Sequence, residues 1–324
     1  MTDGYGRTIE YIRISVTDRC NLRCVYCMPE EGVPAAAHED ILSYEEITEL
    51  AEVLAGLGIR KIRLTGGEPL VRKELPLLVK KLKAVPGIEK VTLTTNGLLL
   101  AENMEALAEA GIGGINLSLD TLDPEVFEKI TRRGGLERVL EGFHEALKYP
   151  EIPLKVNCVP LGREDQDAPG VAELARDWPV HVRYIEMMPI GAGRQFSLTG
   201  EERLLKELKG RYGCCTPCTE KLGDGPAHYF SFPGFRGKIG FISAVSHRFC
   251  GGCNRIRLTS GGFLKTCLQY GTGEDLRGPL REGAGREALR EAVKRAVLQK
   301  PEGHRFGGEA GREAETRTMS QIGG

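Results

Sequence analysis

An α/β fold built on a parallel sheet is predicted for this chain by two observations. Strand-like and helix-like segments alternate about six times between residues 11 and 185. Parallel neighbours need a crossover connection, usually a helix, so such alternation implies a parallel sheet. The residues with unusual chemistry fall just after predicted strands, at the strand ends where α/β folds place their sites. Six units make either an open doubly wound sheet or an incomplete barrel.

The elements follow in order. Residues 11–16 (YIRISV) read as the first strand. Ser43 starts a helix as its N-cap, with Glu46 completing a capping box. Ile47, Leu50, Ala51, Leu54 and Leu57 mark one apolar helical face, and Gly58 ends it. Residues 61–65 form the next strand, broken by Gly66-Gly67. Further strands are predicted at 91–95, 114–119, 154–159 and 182–185. Among the intervening helical patterns the clearest is Leu136, Val139, Leu140, Phe143 and Leu147.

After about residue 200 the character changes. A helix over 201–209 leads into a Gly-rich, strand-poor region with many cysteines. Short strands are predicted at 229–232, 238–242, 255–259 and 263–266, then a helix from about 286 to 298. The stretch from Lys300 is polar and Gly-rich, and is expected to be mobile when alone. The expected division is 1–200, 201–299 and a tail over 300–324.

Composition excludes several classes. A chain of 324 residues suits one large domain, or a large and a small one. Hydrophobic content of 41% and charged content of 27% are ordinary for a soluble globular protein. A net charge of -1 argues against a general nucleic-acid or membrane-surface role. No apolar run approaches the ~20 residues of a membrane span, and the N-terminus does not read as a signal peptide. The expected compartment is the cytoplasm, where ten cysteines are metal ligands or bystanders sooner than disulfides.

Cys20, Cys24 and Cys27 have C-x3-C-x2-C spacing in CNLRCVYC. Three thiolates on a loop suit three irons of a four-iron cluster and leave the fourth iron open. The competing reading is a zinc site that borrows a fourth ligand. Cys250, Cys253 and Cys267 form a second triplet. Gly261-Gly262 lies midway between Cys253 and Cys267, so a hairpin there would return Cys267 to Cys253. Cys253, Arg255 and Arg257 share one face of a strand. Two guanidiniums beside a metal site suit an anionic ligand.

CNLRCVYC resembles the CxxxCxφC signature of radical S-adenosylmethionine (SAM) enzymes, with Tyr26 as the aromatic position. GGEP, 66–69, resembles their second motif, which holds the methionyl amine of SAM. That family's fold is a partial (β/α)6 barrel. More specifically, nearly the whole chain resembles the GTP 3',8-cyclases of molybdenum cofactor biosynthesis. The resemblance is carried by RISVTDRCNLRCVYCMP, KIRLTGGEPL, VRYIEMMPIG, FCGGCNRIRLT and the terminal MSQIGG.

The resemblance implies an incomplete (β/α)6 TIM-type barrel with a C-terminal extension carrying a second iron-sulfur cluster. It implies two [4Fe-4S] clusters and SAM as cofactors. A 5'-deoxyadenosyl radical would take the ribose 3' hydrogen of GTP. The C3' radical would add to C8 of guanine, and the ring radical would then be reduced. The product would be 3',8-cyclo-7,8-dihydro-GTP. Cyclic pyranopterin monophosphate synthase would act next. The expected partners are GTP, that enzyme and an electron donor, with a homodimer left open.

By position, Cys20, Cys24 and Cys27 match the first-cluster ligands, and Cys250, Cys253 and Cys267 the second. Tyr26, Gly66, Gly67, Ser118 and Met188 match SAM contacts. Arg13, Arg63, Thr94, Lys155, Arg255, Ile256 and Arg257 match GTP contacts, with Lys61 and Arg183 added. Arg13, Arg255 and Arg257 are also expected at the reacting centre, with the tail residues Gly323 and Gly324. Each strand cation, read singly, is a solvated charge. Inside a barrel strand such charge is costly unless paired, and a triphosphate would pair it. Cys214, Cys215 and Cys218 have no counterpart in the family and read as non-ligands. The nearest rival is a radical SAM peptide maturase, which predicts a peptide-binding domain before the barrel. The rival from another class is a zinc-binding interaction module.

Overall fold

The computed structural model describes the chain apart from residues 35, 221, 307–314 and 324. Six strands form the first part: β1 (Tyr11–Ser15), β2 (Lys61–Thr65), β3 (Lys90–Thr95), β4 (Ile115–Ser118), β5 (Leu154–Cys158) and β6 (His181–Ile185). The later strands are β7 (Thr216–Cys218), β8 (His228–Ser231), β9 (Ile239–Ile242), β10 (Arg255–Leu258), β11 (Phe263–Lys265) and β12 (Gly273–Asp275). All belong to one sheet, in the order β12-β11-β10-β1-β2-β3-β4-β5-β6-β9-β8-β7. The eight central strands, from β10 to β9, are parallel. The outer pairs are antiparallel.

The crossovers carry α1 (Tyr44–Gly56), α2 (Leu75–Lys83), α3 (Leu100–Glu109), α4 (Pro124–Thr131), α5 (Leu136–Ala146) and α6 (Glu173–Asp177). Beyond β6 come α7 (Glu201–Tyr212), α8 (Arg277–Arg281), α9 (Gly285–Leu298) and α10 (Met319–Ile322). The expected capping box is present at α1: Ser43 Oγ accepts from Glu46 N, and Glu46 accepts from Ser43 N. Alternation within each strand separates the two faces. Ile12, Ile14, Ile62, Leu64, Val91 and Leu93 turn into the core under the helices, each at most 1% exposed. Arg13 and Arg63 turn the other way, toward a cavity that both line. None of the described helices is long and apolar enough to cross a membrane.

One expectation is corrected. The region after residue 200 is not strand-poor, since β7 to β12 all lie there. They extend the first six strands at both edges, with β10 on β1 and β9 on β6. The described parts of the tail are tied down, because their polar groups find buried partners. Lys300 is 3% exposed. Glu315 pairs with the buried Lys265, and Arg257 donates to the carbonyl of Gly323.

Candidate active site

At the C-terminal ends of the central strands lies a cavity of about 320 Å³, lined by all six cysteines of the two triplets. The first triplet follows β1. Cys27 N and Met28 N both donate to Cys24 O, at 2.9 and 3.2 Å, which folds the run into a turn. The end of β2 braces this loop. Gly67 N donates to Thr17 O and Glu68 N to Arg19 O, both at 2.8 Å. A Cβ on Gly67 would stand 2.3 Å from Arg19 O, so only glycine permits this approach. The Gly-Gly pair thus packs backbone against the cysteine loop while also lining the cavity.

The two triplets differ electrostatically. Burial and neighbouring acidic groups push the first set up: Cys20 to about 11, Cys27 to about 12, and Cys24 well above its ordinary value. Carboxyls sit close by. Burial raises Glu68 to about 7, although it accepts from Thr95 Oγ1, Asn96 N and Leu70 N. Asp120 is raised to about 6 by burial and accepts from the Tyr26 hydroxyl at 2.7 Å. The second triplet sits among cations. Burial alone would raise the Cys253 thiol, but Lys300, Arg255 and Arg7 bring it below its ordinary value.

That second site is stapled from both ends of the chain. Arg7 pairs with Asp3 at 2.6 Å and donates to the carbonyls of Cys250, Pro301 and Glu302. Lys300 Nζ donates to Arg255 O at 3.0 Å and to Thr266 O. The hairpin expected from Gly261-Gly262 is present as β10 and β11, with Arg257 opposite Lys265.

Strand register builds rows of cations on the concave face. Arg13 lies between Arg257 on β10 and Arg63 on β2. One step toward the N-terminal ends, Tyr11 lies between Arg255 and Lys61. Like charges side by side across a sheet are destabilising, so the rows call for an anion. Some partners come from the chain itself. Arg183 bonds Asn157 Oδ1 at 2.6 Å and Asn116, while Lys61 meets Asp224 Oδ1 at 2.6 Å. Lys155 Nζ donates to Leu222 O. Arg13 Nε is buried and has no hydrogen-bond partner among the described residues. These side chains line a second, smaller pocket of about 80 Å³ that shares Arg13, Arg63 and Arg255 with the large cavity.

The tail reaches the first triplet. Met319 lines the large cavity beside Cys27, and Ser320, which follows it, is buried. Gly323, at φ +75°, sits against β1 and β2: a Cβ there would stand 2.7 Å from Thr65 Oγ1.

The structure gathers most of the sequence-predicted residues. Tyr26, Gly66, Gly67, Thr94, Ser118 and Met188 line the large cavity with the cysteines, Arg255 and Arg257. Lys61, Lys155 and Arg183 line the smaller pocket. Ile256 does not join them; its side chain is fully buried in the hydrophobic core, which leaves only its main chain near the site. Gly324 lies outside the described residues. Cys218 lies on β7, an edge strand, with Cys214 and Cys215 just before it. Sequence reasoning missed Tyr11, Asp120, Arg7, Lys300 and Asp224. Tyr11 and Asp120 carried a signal, two residues from Arg13 and Ser118 on the same strand face. The others had none, because what ties them to the site is remote in the chain: Cys250 for Arg7, Arg255 and Thr266 for Lys300, and Lys61 for Asp224.

The side chains fit iron-sulfur clusters better than single ions. Among the described residues, no three His, Cys, Asp or Glu converge on one ion. Thiols that each hold a different corner of a four-iron cube need no such convergence. The orphaned Arg13 Nε fits an anionic ligand beside them.

Comparison with known proteins agrees. Residues 14–175 match the Radical SAM superfamily, and residues 180–306 match Molybdenum Cofactor Synthesis C. The GTP 3',8-cyclase of Desulforamulus reducens is 45% identical over 100% of both chains. That of Moorella thermoacetica is 46% identical, also over 100% of both. The crystal structure of Streptococcus suis SuiB bound to S-adenosylmethionine superposes with a TM-score of 0.59. It is 16% identical and covers 89% of this chain and 68% of its own, a likeness of fold. With those relatives matched from end to end, and both cysteine triplets in one cavity, the chain belongs to the GTP 3',8-cyclase family of the radical SAM superfamily.

Proposed function

We propose that this enzyme converts GTP to (8S)-3',8-cyclo-7,8-dihydroguanosine 5'-triphosphate, the first step of molybdenum cofactor biosynthesis. The single observation that carries the reading is the adjacency of the two pockets. A cavity lined by two cysteine triplets shares Arg13, Arg63 and Arg255 with a pocket lined by cations. A guanosine lodged between the triplets would direct its phosphates toward that pocket.

When bound, the first [4Fe-4S] cluster and SAM supply a 5'-deoxyadenosyl radical that takes the ribose 3' hydrogen. Cys20, Cys24 and Cys27 would hold that cluster, and Cys250, Cys253 and Cys267 a second one. Tyr26, Gly66, Gly67, Ser118 and Met188 would seat SAM. Arg13, Lys61, Arg63, Lys155, Arg183, Arg255 and Arg257 would bind the triphosphate, with Thr94 and the Ile256 main chain beside the nucleotide. Their work is to immobilise GTP, so that C3' meets the radical and C8 meets C3'. Gly323, bonded to Arg257, would help exclude water from the reacting centre, a role that the family resemblance extends to Gly324. The central strands read as an incomplete (β/α)6 barrel whose edges β9 and β10 come from the later part of the chain. A cytoplasmic location, an external electron donor and a downstream cyclic pyranopterin monophosphate synthase follow from the same reading.

The test is 5'-deoxyadenosine release by anaerobically reconstituted protein with SAM and a strong reductant. Release that depends on GTP, with a guanine-derived product, is expected. Release indifferent to GTP would return the assignment to the peptide-maturase reading.

A further inference from the structure

Lys300 lies between β10 and β11 with its ammonium enclosed. The residue is 3% exposed, and Nζ donates to Arg255 O at 3.0 Å and to Thr266 O. Arg255 stands two residues after Cys253, and Thr266 directly precedes Cys267. One ammonium therefore ties together the two arms that present these thiols. Its acceptors are both neutral carbonyls. Among the described residues, no carboxylate pairs with it. Of the other two cations at this site, Arg7 pairs with Asp3 at 2.6 Å, and Arg255 belongs to the row assigned above to GTP.

A buried ammonium left without a counter-charge is strongly unfavourable. Lys300 lines the same cavity as Cys250, Cys253 and Cys267. Three thiolates on a four-iron cluster carry net negative charge in that position. The two problems solve each other: the anionic site needs a cation, and the buried cation needs an anion. The first triplet has the opposite surroundings, with Glu68 and Asp120 beside it.

We propose that Lys300 is the built-in counter-ion of the second cysteine triplet, a positioning residue that favours a more reduced cluster there. This rests on the reading of Cys250, Cys253 and Cys267 as cluster ligands. A nearby positive charge stabilises the more negative redox state, so it raises the reduction potential of whatever cluster those thiolates hold. The two triplets would then hold clusters of unequal potential, the second higher than the first.

The experiment uses anaerobically reconstituted full-length enzyme. Iron is counted, and the second cluster's potential is followed by redox titration with electron paramagnetic resonance. Wild type, Lys300→Met and Lys300→Arg are compared. Lys300→Met is expected to move the second cluster to lower potential, with the first cluster unmoved. Lys300→Arg, which keeps the charge, is expected to hold the wild-type potential. Retention of the second cluster by Lys300→Arg but not by Lys300→Met would also support the charge role. Equal potentials in all three proteins, or loss of the cluster in both variants, would overturn it and leave Lys300 a backbone staple. A wild-type protein with only one cluster's iron would instead sink the ligand reading itself.

Discussion

The Arg257 guanidinium donates to the main-chain carbonyl of Gly323, across 66 residues of sequence. Arg257 is in turn aligned with Arg13 on the neighbouring strand. The penultimate residue of the chain is therefore fastened to the cation row that we assign to GTP. Gly323 adopts φ +75°, and a Cβ would lie 2.7 Å from Thr65 Oγ1 and 3.1 Å from Ser15 Cβ. Gly323→Ala should cost about 1 to 3 kcal/mol locally and lift the tail out of place. Iron content should stay unchanged while cyclic product falls. Faster hydrogen exchange at residues 315–323 is the direct check, and unchanged exchange with full activity would refute the placement.

Arg13 is central in its row and carries a buried Nε without a partner among the described residues. A charge-assisted bond is worth roughly 1.5 to 3 kcal/mol. Arg13→Ala should thus weaken GTP binding roughly 10- to 100-fold. SAM binding should be intact. Calorimetry under argon distinguishes these; equal GTP affinity in the variant counts against the assignment.

Lys155 gives the site a pH dependence. Burial, with Arg183 and Arg63 nearby, lowers its ammonium to about 8. A bound triphosphate would raise that value again. Below pH 8 the lysine is charged in both states, and GTP affinity should not depend on it. Above pH 8 the empty site is neutral there, binding must take up a proton, and affinity should fall as pH rises. Lys155→Arg should flatten this fall. A profile that keeps the same slope in the variant would place its origin elsewhere.

Lys265 and Glu315 form an ion pair with side chains 0% and 2% exposed. Burial lowers the Lys265 ammonium, and Lys265 holds the Glu315 carboxyl below its ordinary value against its own burial. Lys265→Met strands a buried carboxylate, and should cost about 3 to 5 kcal/mol. Replacing both residues with apolar ones should recover most of that. Urea unfolding under argon measures both. Equal stability of the single and double variants would contradict the pairing.

Much of the fold was legible because it is written locally. β1 to β6 follow strand periodicity, and Ser43 and Glu46 mark the start of α1. The cysteine spacings and Gly66-Gly67 identified the site because their chemistry depends on short-range order. Other features were hidden for physical reasons. β7 contains Pro217, which fits an unpaired strand edge and disguises the strand. β12 reads Gly-Glu-Asp, without a β-branched or aromatic residue. Ile256 shares a strand with two site arginines, but its side chain points to the opposite face, into the core. The tail looked loose because Lys265, its anchor, is 50 residues from Glu315.

The strand order has a consequence for biosynthesis. β1 completes one of its two ladders with β10, some 240 residues downstream, and β6 awaits β9. While the ribosome is still making the middle of the protein, both borders of the six-stranded sheet remain open templates for wrong pairing. The same delay holds back the second triplet and the lysine beside it. On the ligand assignment proposed above, iron delivered early would meet only half of its thiols, so complete cluster loading waits for the last part of the chain. Overexpressed chains that outrun their folding should accumulate as colourless aggregate, and slower synthesis should favour the brown, cluster-bearing form.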